Sequence, residues 1–228
     1  MRTSTSRAVC TAAAAFAAVL GAAASSRADV TMVQRVDRTA PGTTNTTTTT
    51  TYISGDKVRV DNGQATMVIK GSNHTLTAWS PTTHLYQTAN YRPTTIAQTG
   101  VTVTVTDTGK RSTMLGHPVR LYQVRVAMPG GGATAMTGSI WATEDIRRPN
   151  LSALGNPALE GFGTAAKIPG IPIKSVMHSP DGQQTMTTTV TKLTIGPVPA
   201  SRFVTPSGYK RASQPAGAGA QPTPGPAH

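Results

Sequence analysis

The side chains best suited to acid–base chemistry are the adjacent pair Glu144-Asp145, the one place where two of the chain's nine acids are neighbours. Paired carboxylates divide acid and base roles when their surroundings separate their pKa values. The same pair, placed where an alternating pattern gives way to a helical one, caps the helix and complements its dipole. Capping is the reading its position favours. His74, His84, His117, His178 and His228 never fall in an H-x-x-x-H spacing, so they would meet only across strands. With one cysteine, Cys10, and few acids to complete a set, neither a metal nor another cofactor is expected.

A serine nucleophile would need a strained elbow such as G-x-S-x-G, and Gly71-Ser72-Asn73 and Gly138-Ser139-Ile140 are ordinary turn or strand surroundings. Gly130-Gly131-Gly132 follows a strand pattern, opens no helix and has no lysine after it, which makes it a hairpin rather than a phosphate cradle. Nothing here assembles a nucleophile, a base and a metal, and the chain is not read as an enzyme.

The elements that would position these groups are strands. Val101, Val103 and Val105 alternate with Thr102, Thr104 and Thr106, and Tyr122, Val124 and Val126 alternate with Gln123 and Arg125. Threonine makes up about a sixth of the chain, and the run Thr46 to Thr51 reads as a strand with the character of an edge. Turn signals recur at Ser54-Gly55-Asp56, Gly71-Ser72-Asn73, Ser80-Pro81, Asp107-Thr108-Gly109 and Ser179 to Gly182, and Asn62-Gly63 is the clearest hairpin signal. Ten or eleven strands follow, near 30–38, 44–53, 57–61, 65–70, 74–79, 84–88, 101–106, 119–127, 134–143, 172–178 and 185–195. Consecutive hairpins imply an antiparallel meander, and a sheet of that size must curl. Alternation stops at 144–167, where Asn156-Pro157 offers an N-cap followed by proline, so one or two short helices are expected there. Pro93 to Gln98 is a weaker helical candidate.

The first 28 residues have the order of a secretory signal: Arg2 and Arg7, an apolar alanine-rich run, then Ser26-Arg27-Ala28. Cys10 precedes the apolar run and so cannot be the acylated residue of a lipoprotein signal, and no lipid anchor is expected. The apolar run falls short of the roughly 20 residues that span a bilayer. Residues 29–211 read as one domain, and 212–228, rich in Pro, Gly and Ala, as a disordered tail. The chain carries 21 Lys and Arg against nine acids; without Arg2, Arg7 and Arg27 the balance is 18 against nine, a charge of +9. Basic residues are scattered and aromatics few, which argues against nucleic acid and leaves anionic membrane or glycan as charge-complementary partners.

Several motifs together resemble a known group. Tyr52-Ile53-Ser54-Gly55-Asp56-Lys57-Val58-Arg59, Leu115-Gly116-His117, Trp141-Ala142-Thr143-Glu144-Asp145 and Phe203-Val204-Thr205-Pro206-Ser207-Gly208-Tyr209 match the pattern of an uncharacterised family of exported bacterial proteins. That family is similar to the LolA-like group of lipoprotein carriers and lipid-binding envelope proteins. The resemblance implies an incomplete antiparallel β-barrel closed by a short helical cover, and no ligand-contacting residue is transferable by motif. Physically, Gly55 and Gly116 suit positive φ, Trp141 is a large apolar body ahead of the helical cover, and Phe203 to Tyr209 would pin the end of the chain.

The expected function is a soluble periplasmic or secreted protein holding a lipid, acyl chain or other apolar ligand. Its lining, chosen by strand parity and size, is Val60, Met67, Ile69, Leu76, Tyr86, Val103, Val124 and Trp141. The alternative is a ligand-free module presenting basic surface to a membrane, glycan or envelope protein. Oligomeric state is not legible.

Overall fold

The computed structural model describes residues 29–92, 100–127, 135–147 and 167–212. The expected signal (1–28) and all but Ala212 of the expected tail (212–228) lie outside them, as do the helical candidate at 93–98, the expected hairpin at Gly130–Gly132, and 148–166 of the segment 144–167 where helices were expected. Among the described residues twelve strands form one sheet: β1 (Val30–Ala40), β2 (Thr43–Ser54), β3 (Lys57–Asp61), β4 (Thr66–Lys70), β5 (Thr75–Ser80), β6 (Leu85–Asn90), β7 (Thr102–Met114), β8 (His117–Ala127), β9 (Ala135–Arg147), β10 (Gly170–His178), β11 (Thr185–Ile195) and β12 (Lys210–Arg211). The order is β12-β6-β5-β4-β3-β2-β1-β11-β10-β9-β8-β7. The architecture is mainly β, an open sheet not closed into a barrel. All eleven strands read from the sequence are present; the twelfth is two residues long and pairs parallel to β6.

This order fixes the shape. Each meander is local, but the chain leaves β6 near one edge and enters β7 at the opposite edge, ten strand steps away. At about 4.8 Å per step a flat sheet would separate them by about 48 Å. The twelve Cα–Cα steps from Asn90 to Thr102 reach about 43 Å at full stretch. The sheet therefore curls, and its two edges are drawn toward one another.

Three expectations are corrected. Glu144 and Asp145 do not cap a helix: β9 continues through them to Arg147. Asp107-Thr108-Gly109 is not a turn but a bulge inside β7, where pairing with β8 shifts between Asp107 and Arg111. A bulge uses the same glycine freedom as a turn, with Gly109 at φ 71°, which is why the residues mislead. The threonine run is not an edge, since β2 lies between β1 and β3. The Asn62-Gly63 reversal holds, with Gly63 at φ 83° and the Asn62 side-chain oxygen accepting from the backbone of Gln64 and Ala65 at 3.1 and 2.8 Å.

Ile69 and Val30 (1% exposed), Val119 (0%), Ile171 and Ile173 belong to the largest buried cluster. A second joins Val103, Val124, Val126, Ile140, Ala142 and Ile168. A third joins Val68 and Trp79 of the sheet to Val198 and Phe203 of the C-terminal segment. That segment runs from Gly196 through a short 3-10 helix, Ala200–Phe203, and acts as a strap. The Asp29 carboxylate accepts from Val198 N at 2.9 Å, and Arg59 donates to the Arg202 carbonyl at 2.8 Å. His84, in the left-handed region at φ 52°, presents its carbonyl to Lys210 N at 2.9 Å. Replacing Phe203 with Ala should cost about 3–5 kcal/mol in urea unfolding, the range for emptying a buried aromatic site; a loss below about 1 kcal/mol would mean the strap only rests on the sheet.

Gly170 of β10 opposes Arg147 of β9 in register and lies close against the backbone of Thr143. A Cβ on Gly170 would stand 1.7 Å from the Thr143 carbonyl oxygen. Thr143 is itself fixed, accepting from Ile171 N at 2.9 Å and donating to the Ile146 carbonyl at 2.8 Å. Backbone cannot yield as a flexible side chain would. Gly170→Ala is therefore expected to destabilise by at least the roughly 1–3 kcal/mol of ordinary overpacking, measured by thermal unfolding.

Candidate functional site

The apolar face begins with register. Val58 and Val60 of β3 oppose Ile69 and Met67 of β4, and Ile69 opposes Leu76 of β5, so all five point to one side of the sheet. Nine partly buried apolar side chains surround the buried part of this cluster, Met67, Leu76, Tyr91 and Trp141 among them. Apolar side chains that keep some exposure around an enclosed core form the kind of surface a hydrophobic ligand covers.

Five of the eight expected lining residues, Val60, Met67, Ile69, Leu76 and Trp141, meet on this cluster. Val103 and Val124 belong to the second cluster instead. Tyr86 sits opposite Trp79 on the reverse face, beneath the strap with Tyr52 and Tyr209. Parity within a hairpin is legible from sequence; which hairpins face one another across a curled sheet is not.

Tyr91, which sequence reading passed over, lies just past β6 and packs on the apolar cluster. Its backbone N donates to the His74 carbonyl at 2.9 Å, and its ring meets the His74 ring edge-on at 5.8 Å. Its hydroxyl is the one buried side-chain polar atom without a hydrogen-bond partner among the described residues. Burial, with a smaller push from the Asp56 charge, raises its pKa above the usual phenol value.

A charged network occupies the β7–β9 sheet. Arg111 and Arg120 are directly opposed, an unfavourable like-charge pair unless an anion sits between them. Glu144 does so, accepting from Arg120 at 2.8 Å and from Arg111 at 3.2 Å, while Arg120 also reaches Asp107 at 2.6 Å. Desolvation would raise the Glu144 pKa, but the bonds from Arg120 and Arg111 outweigh it and hold it low. The Gly109 N–H and Arg120 lower Asp107, and the bond from His117 lowers Asp145. His117 Nδ1 lies 2.8 Å from Asp145. A His–Asp pair orients a general base, and no hydroxyl or thiol bonds to this ring among the described residues. Nor do three or more His, Cys, Asp or Glu side chains gather as a metal site among the described residues.

Of the motif residues of the sequence resemblance, Trp141 lies on the apolar face and His117, Glu144 and Asp145 in the charged network, while those of the first and last motifs, Tyr52, Arg59, Phe203 and Tyr209 among them, join strap to sheet. Gly55 turns at φ 58°, and Asp56 accepts from Ser72 N at 2.7 Å, tying two hairpin turns together. Arg59 pairs with Asp61 at 2.9 Å, and its guanidinium lies 5.7 Å from the Tyr52 ring and 5.3 Å from the Trp79 ring. Arg202 covers Tyr52 at 5.2 Å, and Tyr209 meets Trp79 edge-on at 6.5 Å. These residues hold strap to sheet, away from the apolar face.

No protein-family model and no curated protein sequence matches the chain. Among solved structures it is similar to PNGF-II, at 14% identity and TM-score 0.44, covering 82% of this chain and 31% of that one. The chain thus spans under a third of PNGF-II. It is also similar to an uncharacterized conserved protein from Thermus thermophilus, at 9% identity and TM-score 0.48, covering 82% of this chain and 90% of that one. A LolA superfamily protein from Nitrosomonas europaea is similar at 6% identity and TM-score 0.38, covering 78% of this chain and 90% of that one. At these scores the likeness concerns sheet architecture and carries no inference about a ligand.

The charged network yields a pH prediction. Asp107, Glu144 and Asp145 are held below their ordinary values, so their contribution to stability is complete above the unfolded-state pKa and is lost as pH falls through the folded one. Arg120→Gln should lower the urea midpoint at pH 7, and the difference from the native chain should vanish by about pH 2 to 3, below the carboxylate range. An equal difference at both pH values would show that Arg120 acts through packing alone.

Proposed function

We propose that the chain is an exported binding protein that holds a lipid acyl chain, or a ligand of similar apolar chemistry, against the face formed by β3, β4, β5 and the side chains around Trp141. The observation that carries this reading is the Tyr91 hydroxyl, buried with no hydrogen-bond partner among the described residues at the border of that face. A buried hydroxyl with no partner costs about 1–3 kcal/mol. An ester or carboxyl oxygen on a bound acyl ligand would recover that cost, while the chain lies along Met67, Leu76 and Trp141. The signal-like first 28 residues, and the charge of +9 left without them (18 Lys and Arg against nine acids), suit a protein that works near anionic head groups.

Native mass spectrometry of the protein from its own compartment, followed by organic extraction, tests for the ligand directly; absence of any lipid-sized adduct counts against the reading. A titration with a fluorescent fatty acid then separates binding from packing. Met67→Glu, which places a charge on the apolar face, should abolish saturable binding. Tyr91→Phe should weaken it roughly two- to tenfold, the worth of one hydrogen bond, while raising the melting temperature of the ligand-free protein. If Tyr91→Phe stabilises the protein and leaves the affinity alone, the hydroxyl is an unsatisfied core group and the acyl site lies elsewhere.

A further inference from the structure

A groove of about 380 Å³ opens at the far ends of the hairpins, where Arg38, Met136, Met177 and Met186 contribute to its wall. Three methionines converge there from three adjacent strands. Register sets Met177 of β10 directly opposite Met186 of β11 on one side and Gly138 of β9 on the other. Met136 stands two residues before Gly138 and so shares its face. A Cβ at Gly138 would lie 2.5 Å from the Met177 sulfur, so the absent side chain is what lets that sulfur rest over β9, on the strand that carries Met136.

Apolar packing explains only part of this. Met136 and Met177 close the end of the second buried cluster, but Met186 packs on none of the clusters among the described residues and still lines the same groove. All three are half-buried, neither sealed from solvent nor free in it. A thioether is a neutral, soft donor that does not titrate, and soft donors select monovalent copper and its analogues over zinc, calcium or magnesium. Cys10 being the only cysteine, no thiol within residues 29–228 competes for such an ion.

We propose that Met136, Met177 and Met186 form a binding site for a soft monovalent cation, Cu(I) or Ag(I). Arg38 opposes Met186 in register and lines the same groove, so its charge moderates the affinity. Silver nitrate in chloride-free buffer is the probe, since Ag(I) neither oxidises nor disproportionates, and the readout is the methyl NMR signal of each methionine. One equivalent should shift the signals of Met136, Met177 and Met186 and leave those of Met32, Met67 and Met114 in place. Met177→Leu, close in volume, should lower the affinity roughly tenfold or more, at least the size of losses seen around metal sites, with the thermal midpoint nearly unchanged. Arg38→Gln should tighten binding. Shifts that fail to saturate at one equivalent, an affinity unchanged by Met177→Leu, or an equal loss on Met114→Leu would each overturn the site.

Discussion

The connection between β6 and β7 is the constraint on which the rest of this molecule depends. A chain segment too short to cross a flat twelve-stranded sheet forces that sheet to curl. Curling makes the two faces inequivalent. A flat single layer would leave both to solvent, yet Val119, Ile69 and Val30 are sealed to 1% exposure or less. The strap then deals with the reverse face of β2 to β6, where Val68 and Trp79 would otherwise be bare.

The strap is anchored by cations as much as by apolar contact. Arg59 lies against Tyr52 and Trp79 while bonding Asp61 and the Arg202 carbonyl, so one guanidinium ties a strand hairpin to the end of the chain. Guanidinium suits this because it stacks flat on aromatic faces and still offers donors at its rim. On the other half of the sheet the same device recurs with the signs reversed, one carboxylate, Glu144, reconciling two opposed arginines.

Strands were the most legible part of this sequence, because period-two alternation and glycine-marked reversals are local signals. β3 and β11 fall at the residues expected from alternation alone. Glu144-Asp145 misled because an acid pair at the end of a pattern reads as a cap, whereas its partners Arg111, Arg120 and His117 lie 24 to 33 residues away in sequence. The apolar face was half legible: Val60, Met67, Ile69 and Leu76 share parity in consecutive hairpins, but Tyr86 sits on the opposite side of β6 from them. Tyr91 and the three converging methionines left no period or motif of their own in the sequence, since each gains its meaning only from partners placed beside it by strand pairing and packing.

The pairing of β1 with β11 sets Val30 beside Ile195, so the first strand finds one of its two neighbours only near the end of the domain. Contacts so distant in sequence slow folding. The meanders β1–β6 and β7–β11 can each zip locally, but the seam that joins them, and the strap beyond it, must wait for the last stretch of polypeptide to emerge. A chain threaded through a translocation pore amino end first would therefore stay incompletely folded until its passage was nearly over, and lock in a late, cooperative step.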